Sequence, residues 1–247
     1  MKKDLLNGLD LFTGIGGITL ALREWVRPIA YCEIDEYARG VLLSRMADGS
    51  LPRAPIWDDV RTLRGAYLPR VDIISGGFPC TDLSSASHGR GMGLQGEQSG
   101  LWYEMLRLVR ECRPQHIFIE NVDGAARRRY VPFVREDLWR LGYSSVPIRV
   151  RAEDVGAPFR GSRIFILATK ANGDCESIGP LDAETPIVQG IPGLGGCDWG
   201  PPEASTLGVD DGIPHGMDRL RALGNAVVPA QAREAFARLR EIKCRST

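Results

Sequence analysis

Between residues 5 and 170, short apolar runs alternate with longer stretches in which apolar side chains recur at helical spacing. The runs Asn7 to Leu11, Pro28 to Cys32, Val71 to Ser75, His116 to Glu120 and Arg163 to Ala168 predict strands, and a shorter apolar stretch, Ala54 to Trp57, fits a further one. Between them, Thr19 to Trp25, Glu36 to Met46, Leu101 to Cys112 and Val131 to Leu141 predict amphipathic helices. This alternation is the sign of βαβ units, so the expected fold class is α/β, Rossmann-like, with a mainly parallel, doubly wound sheet. The pattern then changes. Ala171 to Gly216 holds ten glycines and many prolines with little periodicity, which predicts a small loop-rich lobe. Helical periodicity returns from Asp218 to Ile242. The expected division is an α/β domain over 1–170, the lobe over 171–216 and a C-terminal helix over 217–247.

Composition narrows the function classes. A hydrophobic share of 43% in 247 residues suffices for one substantial core. Met1 to Leu5 leads directly into an alternating apolar stretch and no apolar run approaches a membrane span, so a cytoplasmic protein without membrane contact is expected. The six cysteines form no CxxC pair and do not cluster with the three histidines, which favours neither a metal site nor a disulfide framework. A formal net charge of zero argues against a surface that grips nucleic acid everywhere. The basic residues are nevertheless 27 Arg against 4 Lys, and Arg offers a planar fork suited to phosphate and guanine edges. The densest run, Arg127 to Arg129, reads equally as a DNA contact or a solvated face.

Two strand ends carry candidate chemistry. Leu9 to Leu11 runs into Phe12-Thr13-Gly14-Ile15-Gly16-Gly17, a glycine-rich turn opening a helix, where backbone can approach a ligand. Alone it also fits any tight α/β turn. A dinucleotide site would be expected to read GxGxxG, whereas this order is FxGxGG. Glu33 ends the second strand, where a carboxylate can accept from ribose hydroxyls, and Asp59 follows the third, where it can reach an adenine amino group or simply cap a surface turn.

The second strand end is Val71 to Ser75, followed by Gly76-Gly77-Phe78-Pro79-Cys80, which delivers a thiol at the carboxyl edge of the sheet. Thr81 to Gly100, with five glycines and four serines, is a long polar loop suited to closing over a substrate. A lone cysteine after a strand is commonly a buried structural thiol. The picture changes with Glu120, which ends another apolar strand at the same edge, where a carboxylate is costly without a task or partner. Arg163 begins a strand where it can hold a carboxylate or a substrate oxygen, so Cys80, Glu120 and Arg163 converge on one mouth.

In ordered blocks the chain resembles the DNA (cytosine-5)-methyltransferase family. Phe12 to Gly17 resembles its first cofactor block, Glu33 with Ile34 the second, Asp59 the third, and Gly77 to Cys80 the nucleophile block. Glu120-Asn121-Val122 resembles the ENV block and Gly224-Asn225-Ala226-Val227 the closing one. The compact layout is similar to phage or prophage members. The resemblance implies S-adenosyl-L-methionine as cofactor, held by Phe12, Gly14, Gly16, Gly17, Glu33, Ile34, Asp59, Pro79, Asn225 and Val227. It implies duplex DNA as partner, a monomer, no metal, and a flipped cytosine under the 81–100 loop. Cys80 would add to C6, Glu120 would hold N3 and the exocyclic amine, and Arg163 would contact O2 or orient Glu120. The terminal helix after Asn225 would pack back beside the glycine turn.

The sequence also departs from the family. Phe159-Arg160-Gly161-Ser162-Arg163 keeps only the last arginine of the usual Gln-x-Arg-x-Arg pattern. The ninth block is not recognisable: Arg219-Leu220-Arg221 fits its remnant or the basic face of an ordinary helix, and the short 171–216 lobe suggests a short or relaxed target. His88, His116 and His215 have no assigned task. Trp199 with Pro201 and Pro202 fits a small aromatic core or a base-contacting turn. An exocyclic-amine methyltransferase would need a polar-Pro-Pro-aromatic motif in place of Phe-Pro-Cys. A tRNA cytosine methyltransferase would use the same catalytic residues. A non-catalytic regulator would have no use for both Cys80 and Glu120, and hydride transfer none for either block.

Overall fold

A computed structural model describes residues 4–79, 100–124, 130–170 and 226–245, together with 218, 222 and 224. Its centre is a seven-stranded sheet: β1 Leu6–Leu11, β2 Val26–Cys32, β3 Ile56–Trp57, β4 Ile73–Gly76, β5 His116–Val122, β6 Tyr143–Arg151 and β7 Ser162–Lys170, in the order β3-β2-β1-β4-β5-β7-β6. The pairs from β3 to β5 are parallel, whereas β7 runs antiparallel to both β5 and β6. The chain winds outward from β1 to β3 and returns to β4. That reversal opens a crevice at the carboxyl ends of β1 and β4, where ligands bind in open α/β sheets.

The helices are α1 Gly17–Leu22, α2 Glu36–Ala47, α3 Leu101–Cys112, α4 Tyr130–Arg140 and α5 Pro229–Arg245. Neighbouring strand residues point to opposite layers, as the pleat requires. Ile74, Ile117 and Ile119 pack with Trp102, Met105 and Leu106 of α3 and Val134 and Leu138 of α4. Ile73, Phe118 and Phe165 pack with Ile18 and Leu22 of α1 and Phe236 and Leu239 of α5. A smaller cluster, Tyr31, Leu42, Met46 and Leu51, lies under α2.

Three expectations need correction. Helix α1 ends at Leu22 rather than Trp25, because the chain must turn at 23–25 to enter β2. Strand β6 is absent from the sequence reading: Pro147 demotes a strand pattern, yet an edge strand paired on one side only tolerates it. The terminal helical stretch is broken, since 226–228 is irregular and α5 starts at Pro229, a residue suited to a first helical position. Cys80, the rest of the 81–99 loop, Arg127 to Arg129, the 171–216 lobe, Arg219, Arg221 and Asn225 lie outside the described residues. So do His88, His215 and Trp199. Among the described residues, no helix is long and apolar enough to cross a membrane, and no group of His, Cys, Asp or Glu could hold a metal ion.

Candidate active site

Backbone geometry builds the first half of the crevice. Phe12 and Gly14 have φ of 52° and 55°, and Gly16, which precedes α1, has φ of 89°. Such left-handed angles reverse the chain within a few residues and are least strained at glycine. The Thr13 hydroxyl donates to the Asp10 carbonyl at 2.8 Å, and the Thr13 N–H to the Cys32 carbonyl at 3.2 Å, fastening the turn to β1 and β2. Among the described residues, a Cβ at Gly14 would meet nothing within 4 Å, so they leave open space over the turn. Gly17 is the reverse case: a Cβ there would stand 2.7 Å from Val227 Cγ1 and 2.9 Å from its carbonyl oxygen. The segment before α5 thus seals the start of α1 from the far end of the sequence.

Glu33 joins this turn. Its Oε2 accepts the Gly14 N–H at 2.6 Å and its Oε1 the Asp35 N–H at 2.8 Å. Each oxygen retains a further lone pair. Beside it Ile34 is 63% exposed, an apolar surface offered at the mouth of the crevice. Asp59 stands just past β3, but its carboxylate accepts the Arg61 N–H and guanidinium at 2.9–3.1 Å. Arg61 holds that carboxyl below its ordinary range. The fold therefore brings Phe12, Gly14, Gly16, Gly17, Glu33, Ile34 and Val227 around one turn and leaves Asp59 engaged with its own neighbour.

The second half is built from β4, β5 and β7. Glu120 lies opposite Phe165, and Arg163 is two residues before Phe165 in β7, so both side chains share a face as diagonal neighbours. The Arg163 Nε lies 2.9 Å from Glu120 Oε1. Burial pushes the Glu120 carboxyl up to about 7, although Arg163 pulls the other way. Gly77 lies directly against this carboxyl, and a Cβ there would be 2.5 Å from Glu120 Oε2. Asn121 points to the other layer, is buried, and donates from Nδ2 to the Phe78 carbonyl at 3.0 Å. Phe78 itself packs against Trp102 and Tyr130. The segment leading through exposed Pro79 towards Cys80 is thus pinned by an apolar ring, a side-chain amide and a glycine that admits Glu120. Cys80 itself is outside the described residues.

One contributor carries no sequence signal of its own. The buried Gln231 of α5 donates from Nε2 to the carbonyls of Val150 at 2.8 Å and Gly161 at 3.1 Å, fixing the turn that leads to Arg163. Asn121 belongs to a motif, but its partner Phe78 is visible only after folding. Two other thiols are chemically quiet: burial pushes Cys32 up to about 12 and Cys112 up to about 11.

The arrangement can hold a ligand over a glycine turn while presenting a carboxyl raised to about 7 and a guanidinium next to the segment that leads to Cys80. A family model described as C-5 cytosine-specific DNA methylase matches residues 6–189. The chain is 30% identical to the type II methyltransferase M.CviJI of a Paramecium bursaria Chlorella virus, over 94% of this chain and 58% of that protein. It is 32% identical to the type II methyltransferase M2.BsuMI of Bacillus subtilis, over 75% of this chain and 48% of that one. Among solved structures it is similar to a prophage-encoded E. coli protein assigned as a DNA modification methyltransferase, with TM-score 0.53, 28% identity, and 67% of this chain and 47% of the other covered. The chain thus spans about half the length of these relatives.

Proposed function

Because the chain belongs to the C-5 cytosine-specific DNA methylase family, we propose that it methylates C5 of a flipped cytosine in duplex DNA, with Cys80 as covalent nucleophile. The observation that carries this reading is the Glu120–Arg163 pair, 2.9 Å apart and lying against Gly77 in the segment that leads to Cys80. Relatives named as type II methyltransferases support DNA as the partner, and those from Bacillus subtilis and an E. coli prophage support the cytoplasm of a bacterial or phage-infected cell as the site of action.

Cytosine C5 is too weak a nucleophile to be methylated directly. A Cys80 thiolate forming a bond to C6 pushes electron density onto the ring and makes C5 enamine-like. The density must be received at N3. A carboxyl pushed up to about 7 holds a proton near neutral pH, and Glu120 can pass it to N3 as the sulfur adds. Arg163 keeps the carboxyl oriented and can face O2. Loss of the C5 proton to solvent, return of the N3 proton to Glu120 and departure of the Cys80 sulfur as thiolate then restore the aromatic ring.

S-Adenosylmethionine, when bound, supplies the methyl group. The turn fits it: Gly14 leaves open space, Glu33 has lone pairs to spare for ribose hydroxyls, and Ile34 offers an apolar face to a flat ring. Phe12, Gly16, Gly17, Pro79 and Val227 would complete the cradle, with Asn225 and Asp59 as further candidates.

The test offers methyl-labelled S-adenosylmethionine with duplex DNA or with tRNA. Label in DNA as 5-methylcytosine, abolished by Glu120→Gln, is expected. Label in tRNA alone would move the substrate to RNA, and label in neither would remove the catalytic reading.

A further inference from the structure

Asp10 belongs to none of the blocks that hold substrate or cofactor, yet it sits at the middle of both half-sites. It is a carboxylate on a central strand with only 3% of its surface exposed, where an unneutralised charge is costly. Three elements meet on it. Its main-chain carbonyl accepts the Thr13 hydroxyl of the glycine turn at 2.8 Å. Its Oδ2 accepts the Thr19 hydroxyl of α1 at 2.5 Å, and its Oδ1 the Ser75 hydroxyl of β4 at 2.8 Å. Ser75 is its register partner and immediately precedes Gly76 and Gly77. Just beyond, β1 and β4 approach so closely that a Cβ on Gly76 would lie 2.5 Å from the Leu11 carbonyl oxygen.

We propose that Asp10 is a positioning residue: its buried carboxylate ties the turn and helix that receive the cofactor to the strand that delivers the nucleophile. This rests on the functional reading above. Helix α1 is six residues long and has no side-chain cap, so the Thr19–Asp10 bond is the polar tether that holds its first turn on the sheet. The Ser75–Asp10 bond does the same for the end of β4. One carboxylate thereby sets the spacing between Gly14–Gly17 and Gly77–Pro79.

The tie is sensitive to protonation. Both side-chain donors are neutral hydroxyls, and among the described residues the ionisable groups that act on Asp10 are Tyr31 of β2 and Glu33 just beyond it; α1 and β4 contribute none. Burial, reinforced by Glu33, pushes the Asp10 carboxyl up to about 7. Ionised, it accepts both hydroxyl protons; protonated, it carries a donor of its own and one hydroxyl must turn. The negative charge also favours a sulfonium over a neutral thioether. Affinity for S-adenosylmethionine should therefore rise with pH through about 7, and that for S-adenosylhomocysteine should rise less.

The experiment is calorimetric titration of both compounds into wild type, Asp10→Asn and Ser75→Ala across neutral pH. The wild type should bind S-adenosylmethionine about tenfold more tightly on the alkaline side than on the acid side, with a shallower profile for S-adenosylhomocysteine. Asp10→Asn should flatten the profile. Ser75→Ala should move its inflection to higher pH, because the Ser75 hydroxyl lowers the Asp10 pKa. A merely structural Asp10 would lower the melting temperature and leave the profile where it was. Should Asp10→Asn not fold, the Ser75→Ala inflection decides. An unmoved inflection, or an Asn variant with wild-type affinity and slope, overturns the proposal alone; a wild type that binds neither compound overturns it together with the proposed function.

Discussion

Gly77 lies beneath Glu120 so closely that a single added methyl group would stand 2.5 Å from Oε2. The carboxyl is paired with Arg163, whose Nε is 2.9 Å from Oε1, so shifting it aside would disturb that pair. The glycine therefore sets where the Glu120 carboxyl can sit. Gly77→Ala is expected to cost about a hundredfold in kcat, in line with an ångström-scale misplacement. Methylation rate and melting temperature, measured together, check this: a rate unchanged from wild type would show that Glu120 has room to move.

Asn121 acts from the opposite face through the Phe78 carbonyl. Asn121→Ala is expected to lower stability by about 1 kcal/mol, the net worth of a buried hydrogen bond. The loss in kcat should be larger, about tenfold or more, because the bond holds the segment that leads to Cys80. Denaturant titration and initial rates separate the two effects.

Gly17 meets Val227 through both a methyl group and a main-chain oxygen, and the latter cannot swing aside. Gly17→Ala should force the segment before α5 off the start of α1. The expected result is a cofactor affinity weakened by about tenfold with a stability loss of about 1–3 kcal/mol. Calorimetric titration with S-adenosylmethionine reads the first and thermal melting the second.

Glu120 also predicts how stability depends on pH. Its carboxyl rises from 4.5 to about 7 on folding, so between those values the folded chain keeps a proton that the unfolded chain has released. Stability from this group is therefore greatest below the unfolded value and falls as pH rises towards about 7. Asp10, raised from 3.8 to about 7, contributes with the same sign. Glu120→Gln should make the decline shallower by up to about 1.4 kcal/mol per pH unit, measured by urea unfolding across the acid range. An identical slope in wild type and variant would show that Glu120 is not raised.

Local pattern reached some of this and not the rest. Trp102, Met105, Leu106 and Val109 repeat at helical spacing, and α3 occupies Leu101–Cys112 as that spacing predicts. The glycine turn and the carboxylate at the end of β5 were equally legible, because strand ends followed by glycine, or by an acid after apolar residues, have few other uses. What the sequence hid depends on pairing. Strand β6 contains Pro147 and is acceptable only at an edge, a fact of the sheet rather than of the segment. Gln231 and Asp10 look like ordinary polar residues until α5 meets β6 and both α1 and β4 meet β1. Asp59 likewise has a partner that its place after a strand does not announce, since its carboxylate pairs with Arg61.

The central claim is that a Cys80 thiolate forms a bond to cytosine C6 while Glu120 supports the ring. Duplex DNA containing 5-fluorocytosine traps that bond, because fluorine at C5 cannot leave as a proton does. With S-adenosylmethionine present, the wild type should give a protein–DNA adduct that survives denaturation, and Cys80→Ser should give none. An adduct in the serine variant, or methylation of ordinary cytosine by it at the wild-type rate, would contradict the account.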